Sequence, residues 1–330
     1  MVAVAYEDRA QDVAGLKVLL RSLAKFQPGW SVRLYLPGVS AEDEAWCRAQ
    51  PLKEVTIVRE VPRRGWNAKP WCLLDALRTG AGAVVWFDTD VVLTRAVAPL
   101  LDGQPEGLFI GTEELPYPNL QGTGRRAAAW GLEVARDIPR TINSSVVRVD
   151  AAHKPLLQRW DELIESPEYV RAQGQPFGGR PLHMRGDQDV LNALLGSREF
   201  AAIPVRQLRC GRDIAQCCKA DGFSPLDRLR HAFRSLPPLV HAMGGKPWRD
   251  GARALHLELS PYSWVAARLD GFAKGELDWT QLRSPLGRLL NVLALGDPSL
   301  RGFLPALCAS APRTVGRAVR RVLRLRPSGG

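Results

Sequence analysis

Apolar positions in the first ninety residues recur in two alternating periods. Val2 to Ala5 is a short apolar run that reads as a strand. Leu16, Leu19, Leu20 and Leu23 then occupy the i, i+3, i+4, i+7 positions of an amphipathic helix preceded by Asp12. Ser31 to Leu36 alternates and stops at Pro37-Gly38, as a second strand does. A short helix over Ala41 to Arg48, a strand over Val55 to Val58 and a helix over Lys69 to Leu77, ended by Gly80, continue the series. Ala83-Val84-Val85-Trp86-Phe87 is the most apolar stretch of this half, and such a run is expected of a strand buried on both faces. Strands that alternate with helices predict βαβ units and a largely parallel sheet.

The pattern continues more sparsely. Gly107 to Gly111 and Ser144 to Val149 read as strands, Lys154 to Ile164 as a helix and Leu239-Val240 as a last short strand. Asp187 to Leu195 reads as a helix with Asp187 as its N-cap and Gly196 just past its end. From about residue 251 short helical segments are broken by proline, without strand alternation. The expected organisation is a domain over residues 1–250, a mostly helical extension over 251–310 and a basic tail over 311–330. A chain of 330 residues with 45% hydrophobic content suits this, and excludes wholesale disorder.

Charge changes the picture mainly at the C-terminus. The 45 Lys and Arg outnumber the 34 Asp and Glu, for a net charge of +11. That excess suggests nucleic acid, a phosphorylated small molecule or a membrane surface as partner. Six of the eleven units lie in the last twenty residues, on Arg313, Arg317, Arg320, Arg321, Arg324 and Arg326, with no acid among them. Val315, Ala318, Val319, Val322 and Leu323 follow helical spacing between them. A basic amphipathic helix of this kind suits peripheral attachment to an anionic membrane through residues 313–326. A helix packed on its own protein carries the same pattern. Basic residues do not interleave with aromatics and the main body is nearly charge-balanced, so nucleic acid is not an expected partner.

The N-terminus turns acidic at Glu7 after a very short apolar run, unlike a signal peptide. The best candidate for a membrane span, Leu289 to Leu295, is far too short. The cysteines, Cys47, Cys72, Cys210, Cys217, Cys218 and Cys308, show no paired C-x-x-C spacing. A cytoplasmic protein with reduced thiols is the expectation.

Four short segments carry chemistry. Phe87-Asp88-Thr89-Asp90 follows the buried apolar run. In an extended chain Asp88 and Asp90 face the same way, and two like charges there call for a cation between them. Hard oxygen ligands suit Mg²⁺ or Mn²⁺, and open α/β sheets bind ligands at the carboxyl ends of their strands. Two solvated turn aspartates would read the same. His241 to Trp248 (HAMGGKPW) combines an imidazole that can ligate a metal, glycines at Gly244-Gly245 that admit close approach, and Lys246 as a point charge for phosphate. It is not a phosphate loop of the NTPase kind, because Pro247 follows the lysine. Gly186 to Asn192 (GDQDVLN) opens a helix, with Asp187 and Gln188 able to face a cleft. Asn143-Ser144-Ser145 places small polar residues at a strand opening.

In order and content these segments resemble the family-eight glycosyltransferases, which include glycogenin and the bacterial lipooligosaccharide galactosyltransferases. The resemblance runs from Val2 through Trp248 and includes Lys69 on the helix before the acidic strand. Two positions depart from the family pattern: one residue instead of two separates Gly244 from Lys246, and Ser145 stands where the family usually has glycine, crowding the acceptor side. The resemblance implies the A-type glycosyltransferase fold, a single nucleotide-binding Rossmann-like mixed α/β sheet flanked by helices. It implies a nucleotide-diphosphate sugar donor, most often a UDP-hexose, and a glycan or lipid-linked acceptor. Asp88, Asp90 and His241 would bind Mn²⁺ or Mg²⁺, with Asp88 also at the donor. Ala5, Tyr6 and Glu7 would line the base and ribose, and Lys69, Asn143, Gly244 and Lys246 would hold the donor. Asp187 and Gln188 would sit near the anomeric carbon as the catalytic pair, with retention of configuration. A sugar-phosphate nucleotidyltransferase would instead need a glycine-rich basic loop after the first strand, where this chain has Tyr6-Glu7-Asp8-Arg9. A non-catalytic basic membrane- or nucleic-acid-binding protein is the further alternative.

Overall fold

The computed structural model describes residues 1–114, 122–138, 140–216, 236–249 and 261–280. It divides into two units, Met1–Asp213 and Ile214–Gly330. The first unit opens with β1 (Val2–Tyr6), α1 (Val13–Phe26), β2 (Ser31–Tyr35), α2 (Ala41–Arg48), β3 (Glu54–Val58), α3 (Lys69–Arg78) and β4 (Ala83–Phe87). All seven follow the periodicity of the sequence. Next come β5 (Val91–Leu93), the one-turn α4 (Ala98–Leu101), β6 (Phe109–Glu113), α5 (Thr123–Ala129) and β7 (Ile142–Asp150). The unit closes with α6 (Lys154–Ile164), α7 (Pro167–Gln173), α8 (Asp187–Gly196) and β8 (Val205–Leu208).

The central sheet has seven strands in the order β3-β2-β1-β4-β7-β6-β8. β3, β2, β1 and β4 are parallel, whereas β7 runs antiparallel to both β4 and β6. The sheet is thus mixed, and the alternation of strands and helices holds only for its first half. The chain returns from β6 to β7 at one end of the sheet without a crossover, which reverses β7. Strand residues alternate into a core in which Val4, Val84, Trp86, Val147 and Val149 meet Leu73 and Leu77 of α3, Leu156 and Trp160 of α6, and Leu191 and Leu194 of α8. Burial of each such side chain contributes on the order of 1.5–3 kcal/mol. The α1 leucines Leu16, Leu19, Leu20 and Leu23 are buried, as expected. Ser22 in the same helix accepts from the Leu93 amide, tying α1 to β5.

Two details of α8 differ from the sequence reading. Gly186, not Asp187, is its N-cap, because the Asp187 carboxylate is drawn to Lys69 instead of its own helix amides. Gly196 is the last helical residue, and packing is its reason for being glycine. A Cβ there would lie 2.8 Å from the carbonyl carbon and oxygen of Thr123, at the start of α5. Gly196→Ala is therefore expected to force α5 and α8 apart and cost about 1–3 kcal/mol, read as a lower denaturation midpoint.

In the second unit β9 (Ile214–Gln216) pairs in parallel with β10 (Leu239–His241). Helix Pro261–Ala266 carries Tyr262, whose ring stacks with Trp279 at 6.3 Å between centroids, and Trp248 lies edge-on to Trp279 at 5.7 Å. Cys217, Cys218, Cys308, the apolar run Leu289 to Leu295, most of the 251–310 extension and the whole basic tail lie outside the described residues. Among the described residues, Cys47 and Cys72 are free thiols, and no helix is long and apolar enough to cross a membrane.

Candidate functional site

β1 and β4 are neighbours at the middle of the sheet, so their carboxyl ends bring Glu7 close to the Asp88-Thr89-Asp90 turn. Trp86, the penultimate residue of β4, donates its indole N–H to Asp88 Oδ1 at 2.6 Å. The Asp88 amide bonds the Ser145 carbonyl of β7 at 2.8 Å, and the Val91 amide closes the turn on the Asp88 carbonyl at 3.0 Å. Thr89, between the two aspartates, donates its hydroxyl to Glu7 Oε2 at 2.6 Å. Arg9 holds the other Glu7 oxygen at 2.8 Å. Glu7 is fully buried, and burial raises its carboxyl pKa although Arg9 and Thr89 work against that. Asp90 is buried and Asp88 is partly open to solvent.

Lys69, the first residue of α3, is buried to 2% exposure. Its ammonium lies 3.1 Å from Asp88 Oδ1 and 3.3 Å from Asp187 Oδ2, and it donates to Ser144 Oγ at 2.7 Å. It also lies 5.2 Å from the centre of the Trp86 ring. Burial alone disfavours the charge on Lys69, but Asp187 and Asp88 outweigh it and the pKa is raised. Ser144 Oγ donates in turn to Asp187 Oδ2 at 2.9 Å. The Asp187 carboxyl is also pushed up, first by burial, with Lys69 opposing and Asp88 adding to it. The two partners of the pair thus shift the same way. The charged state of Lys69 is the firmer of the two, because it faces two carboxylates. The sequence supplied all three residues, and the fold shows that the ammonium is engaged with protein acceptors.

A second network lies beside the first. β7 slips its register against β6 between Gly111 and Thr112, so that Thr112 faces Asn143 while Gly111 faces Val147. This irregularity, of the kind that re-aims side chains next to sites, turns Ser144 toward Lys69 and Asn143 toward α8. Asn143 Nδ2 bonds Glu114 Oε2 at 3.1 Å and Gln188 Oε1 at 3.2 Å, and Gln188 Nε2 reaches the same Glu114 oxygen at 2.9 Å. Asn192, one turn further along α8, bonds both the amide and the carbonyl of Ile142 at 2.7 Å. Ser145, expected to crowd an acceptor side, is fully buried with its hydroxyl toward Thr112. Glu114 belongs to no motif and was not singled out from the sequence.

Asp189 pairs with Arg126 of α5 at 2.9 Å, and both are buried. Burial raises the Asp189 pKa to about 6, with Arg126 opposing and Asp187 and Glu114 adding to the rise. Sequence reasoning missed Arg126 altogether, since nothing in Thr123 to Ala129 announces a partner for α8. At the end of β1, Tyr6 donates to Asp8 Oδ2 at 2.9 Å and Ala5 is buried. In the second unit His241 ends β10 and is buried. Gly244 sits at φ +89°, in the left-handed region that favours glycine, and Lys246 donates back to the Ala242 carbonyl at 3.0 Å.

No family model matches the chain, and neither does any curated protein. Solved structures do. The galactosyltransferase LgtC, in complex with donor and acceptor sugar analogues, superposes with a TM-score of 0.53 at 16% identity, over 83% of this chain and 98% of that one. The bifunctional glycosyltransferase WbbM gives 0.53 at 11% identity, over 86% of this chain and 51% of its own. The glycosyltransferase GlyE of Streptococcus pneumoniae TIGR4 gives 0.52 at 14%, over 82% and 60%. This is the A-type glycosyltransferase fold. Its particular form here is similar to that of LgtC, which the chain covers almost end to end.

Proposed function

We propose that this chain is a glycosyltransferase that moves a hexose from a nucleotide-diphosphate sugar, UDP-hexose first among them, to a hydroxyl of a glycan or lipid-linked acceptor with retention of configuration. The observation that carries the reading is the buried Lys69 ammonium shared by Asp88 and Asp187 at the carboxyl end of β4, in a sheet of this fold. Ligands of open α/β sheets bind at such strand ends.

Asp88, Asp90 and His241 would hold Mn²⁺ or Mg²⁺, because two carboxylates and an imidazole suit such an ion. When bound, such an ion supplies positive charge against the negative charge that develops on the departing diphosphate. Trp86 and Lys69 both hold Asp88 through Oδ1, which fixes the carboxylate that would bind the ion. Lys69 thus serves the donor through the carboxylates it orders. The backbone at Ala5, Tyr6 and Glu7 borders the base and ribose. Gly244 admits the close approach of the diphosphate, and Lys246 meets it as a point charge. Asp187 and Gln188 face the anomeric carbon, and Asn143 with Glu114 holds the Gln188 amide in one orientation. No side chain is assigned as nucleophile. In a retaining transfer by same-face attack, the acceptor hydroxyl passes its proton to the departing phosphate oxygen. Peripheral membrane attachment through residues 313–326 rests on the sequence of that segment alone.

The test is a screen of nucleotide-diphosphate sugars for hydrolysis by the full-length protein with Mn²⁺ or Mg²⁺. One donor should stand out, its turnover should vanish with EDTA and return with excess metal, and Asp90→Asn should lower it by about a hundredfold or more. Turnover that persists in EDTA and in Asp90→Asn overturns the metal assignment, and no turnover of any donor overturns the reading itself.

A further inference from the structure

Two large aromatic side chains of the first unit stand out in solvent: Trp66 is 50% exposed and Phe177 is 59% exposed. They come from separate parts of the chain, yet they flank one guanidinium. The Arg180 guanidinium carbon lies 6.0 Å from the Trp66 ring centre and 5.9 Å from that of Phe177. Arg180 is itself fastened. Its Nε donates to the Gln175 carbonyl at 3.0 Å, Nη1 to Gln173 Oε1 at 2.5 Å and to the Arg185 carbonyl at 3.0 Å, and Nη2 to the Gln173 carbonyl at 3.0 Å.

The segment that carries Trp66 is fastened as well. Gly65, at φ +57°, turns the chain ahead of the indole and donates its amide to Asp8 Oδ2 at 3.0 Å. The Tyr6 hydroxyl, which donates to Asp8, also lies 3.2 Å from the Arg63 carbonyl, and Tyr169 donates to Asn67 Oδ1 at 2.9 Å. These bonds tie the approach to Trp66 to the end of β1 on one side and to α7 on the other. Both arms lead into the candidate site. Trp66 precedes Lys69 by one helical turn, and the Arg180–Arg185 bond carries the other arm to the start of α8, where Asp187 and Gln188 stand.

We propose that Trp66 and Phe177 form a stacking platform for a sugar ring of the acceptor. The proposal rests on the glycosyltransferase reading, and it adds the place and the chemistry of acceptor binding. A pyranose has faces lined by C–H groups and a rim of hydroxyls. An exposed indole or phenyl face takes the C–H face and leaves the rim wet, as an aromatic side chain with one apolar side does at interfaces. Arg180 acts as the post between the rings. Four of its hydrogen bonds end on protein acceptors, so it braces the platform and is not the group that grips an anion. Two rings on a fastened frame, continuous with the side chains assigned to the donor sugar, are matched to one or two sugar units. A lipid surface would call for a broader apolar face.

Saturation-transfer NMR on the full chain tests this with methyl glycosides of glucose, galactose, mannose and N-acetylglucosamine as probes, against wild type, Trp66→Ala, Phe177→Ala and the double variant. Both side chains are exposed, so denaturation midpoints should stay close to wild type and show that each variant is folded. Ring C–H protons of at least one glycoside should receive saturation from wild type, and the effect should drop about fivefold or more in each variant. Equal transfer in all four proteins overturns the platform, as does no transfer from any glycoside. Pelleting with phosphatidylglycerol vesicles that is lost in the double variant, without glycoside binding, also overturns it, in favour of a membrane surface. The readout needs no donor turnover. A failed donor screen therefore counts against the glycosyltransferase reading, and unaltered glycoside contacts count against the platform alone.

Discussion

Lys69→Met should lower stability by about 3–5 kcal/mol and remove donor turnover altogether. Methionine nearly matches the volume, so packing contributes little to the loss. What disappears is an ammonium that lies within 3.3 Å of both Asp88 and Asp187, leaving the buried Asp187 beside a second acid. Protonation offers Asp187 partial relief. Its pKa is already raised by burial, and losing Lys69 raises it further. An acid with a raised folded-state pKa takes up a proton on folding, and its ionised form costs stability as pH climbs through that pKa. The deficit of Lys69→Met is therefore expected to be smaller near pH 5 than near pH 8. Urea denaturation at both values checks it. Adding Asp187→Asn should recover much of the stability and none of the turnover. Recovery of both would mean that the charge on Asp187 has no part in the reaction.

The Arg126–Asp189 pair gives the second large effect, and an asymmetric one. Asp189→Leu leaves a guanidinium buried without its carboxylate, and arginine cannot shed its proton, so about 3–5 kcal/mol should be lost. Arg126→Met leaves a carboxyl whose pKa is already about 6, and that group can become neutral. This variant should lose less, and less still below pH 6. The wild-type pair shows the same sign: between about pH 4 and 6 the folded state binds the Asp189 proton more tightly than the unfolded chain, so its contribution to stability falls as pH rises. The double variant Arg126→Met with Asp189→Leu should stand above Asp189→Leu alone. If the effects simply add, the two side chains do not act as a pair.

The sequence disclosed the first half of the fold almost element by element, because each strand and helix there has its own period and a clear stop. The short strand Val91–Leu93 was missed because three residues cannot display alternation, and Val205–Leu208 because Arg206 and Gln207 hide it. Helix Thr123–Ala129 opens on a Gly-Thr-Gly sequence that reads as a loop. The reversal of β7 was invisible to period-two alternation, which is the same for parallel and antiparallel strands.

For the site, spacing and chemistry singled out Asp88, Asp90, Asn143, Asp187 and Gln188, and the family resemblance added Lys69, but neither carried the bonds these residues make. Trp86 read as core filling and turned out to orient Asp88 through its N–H. Thr89 carried no role in the sequence, and its hydroxyl locks the turn to Glu7. Such roles follow from which strand lies beside which, and local pattern does not carry that.

One bond in the core also gives the site its own spectroscopic reporter. The fully buried Trp160 donates its indole N–H to the backbone carbonyl of Asp187 at 2.9 Å, from the α6 side of the helix. That proton cannot exchange with solvent unless α6 and the first turn of α8 part. Its exchange rate and chemical shift therefore record, in a single resonance, how often the turn that holds Asp187 and Gln188 comes undone and whether a bound donor holds it shut.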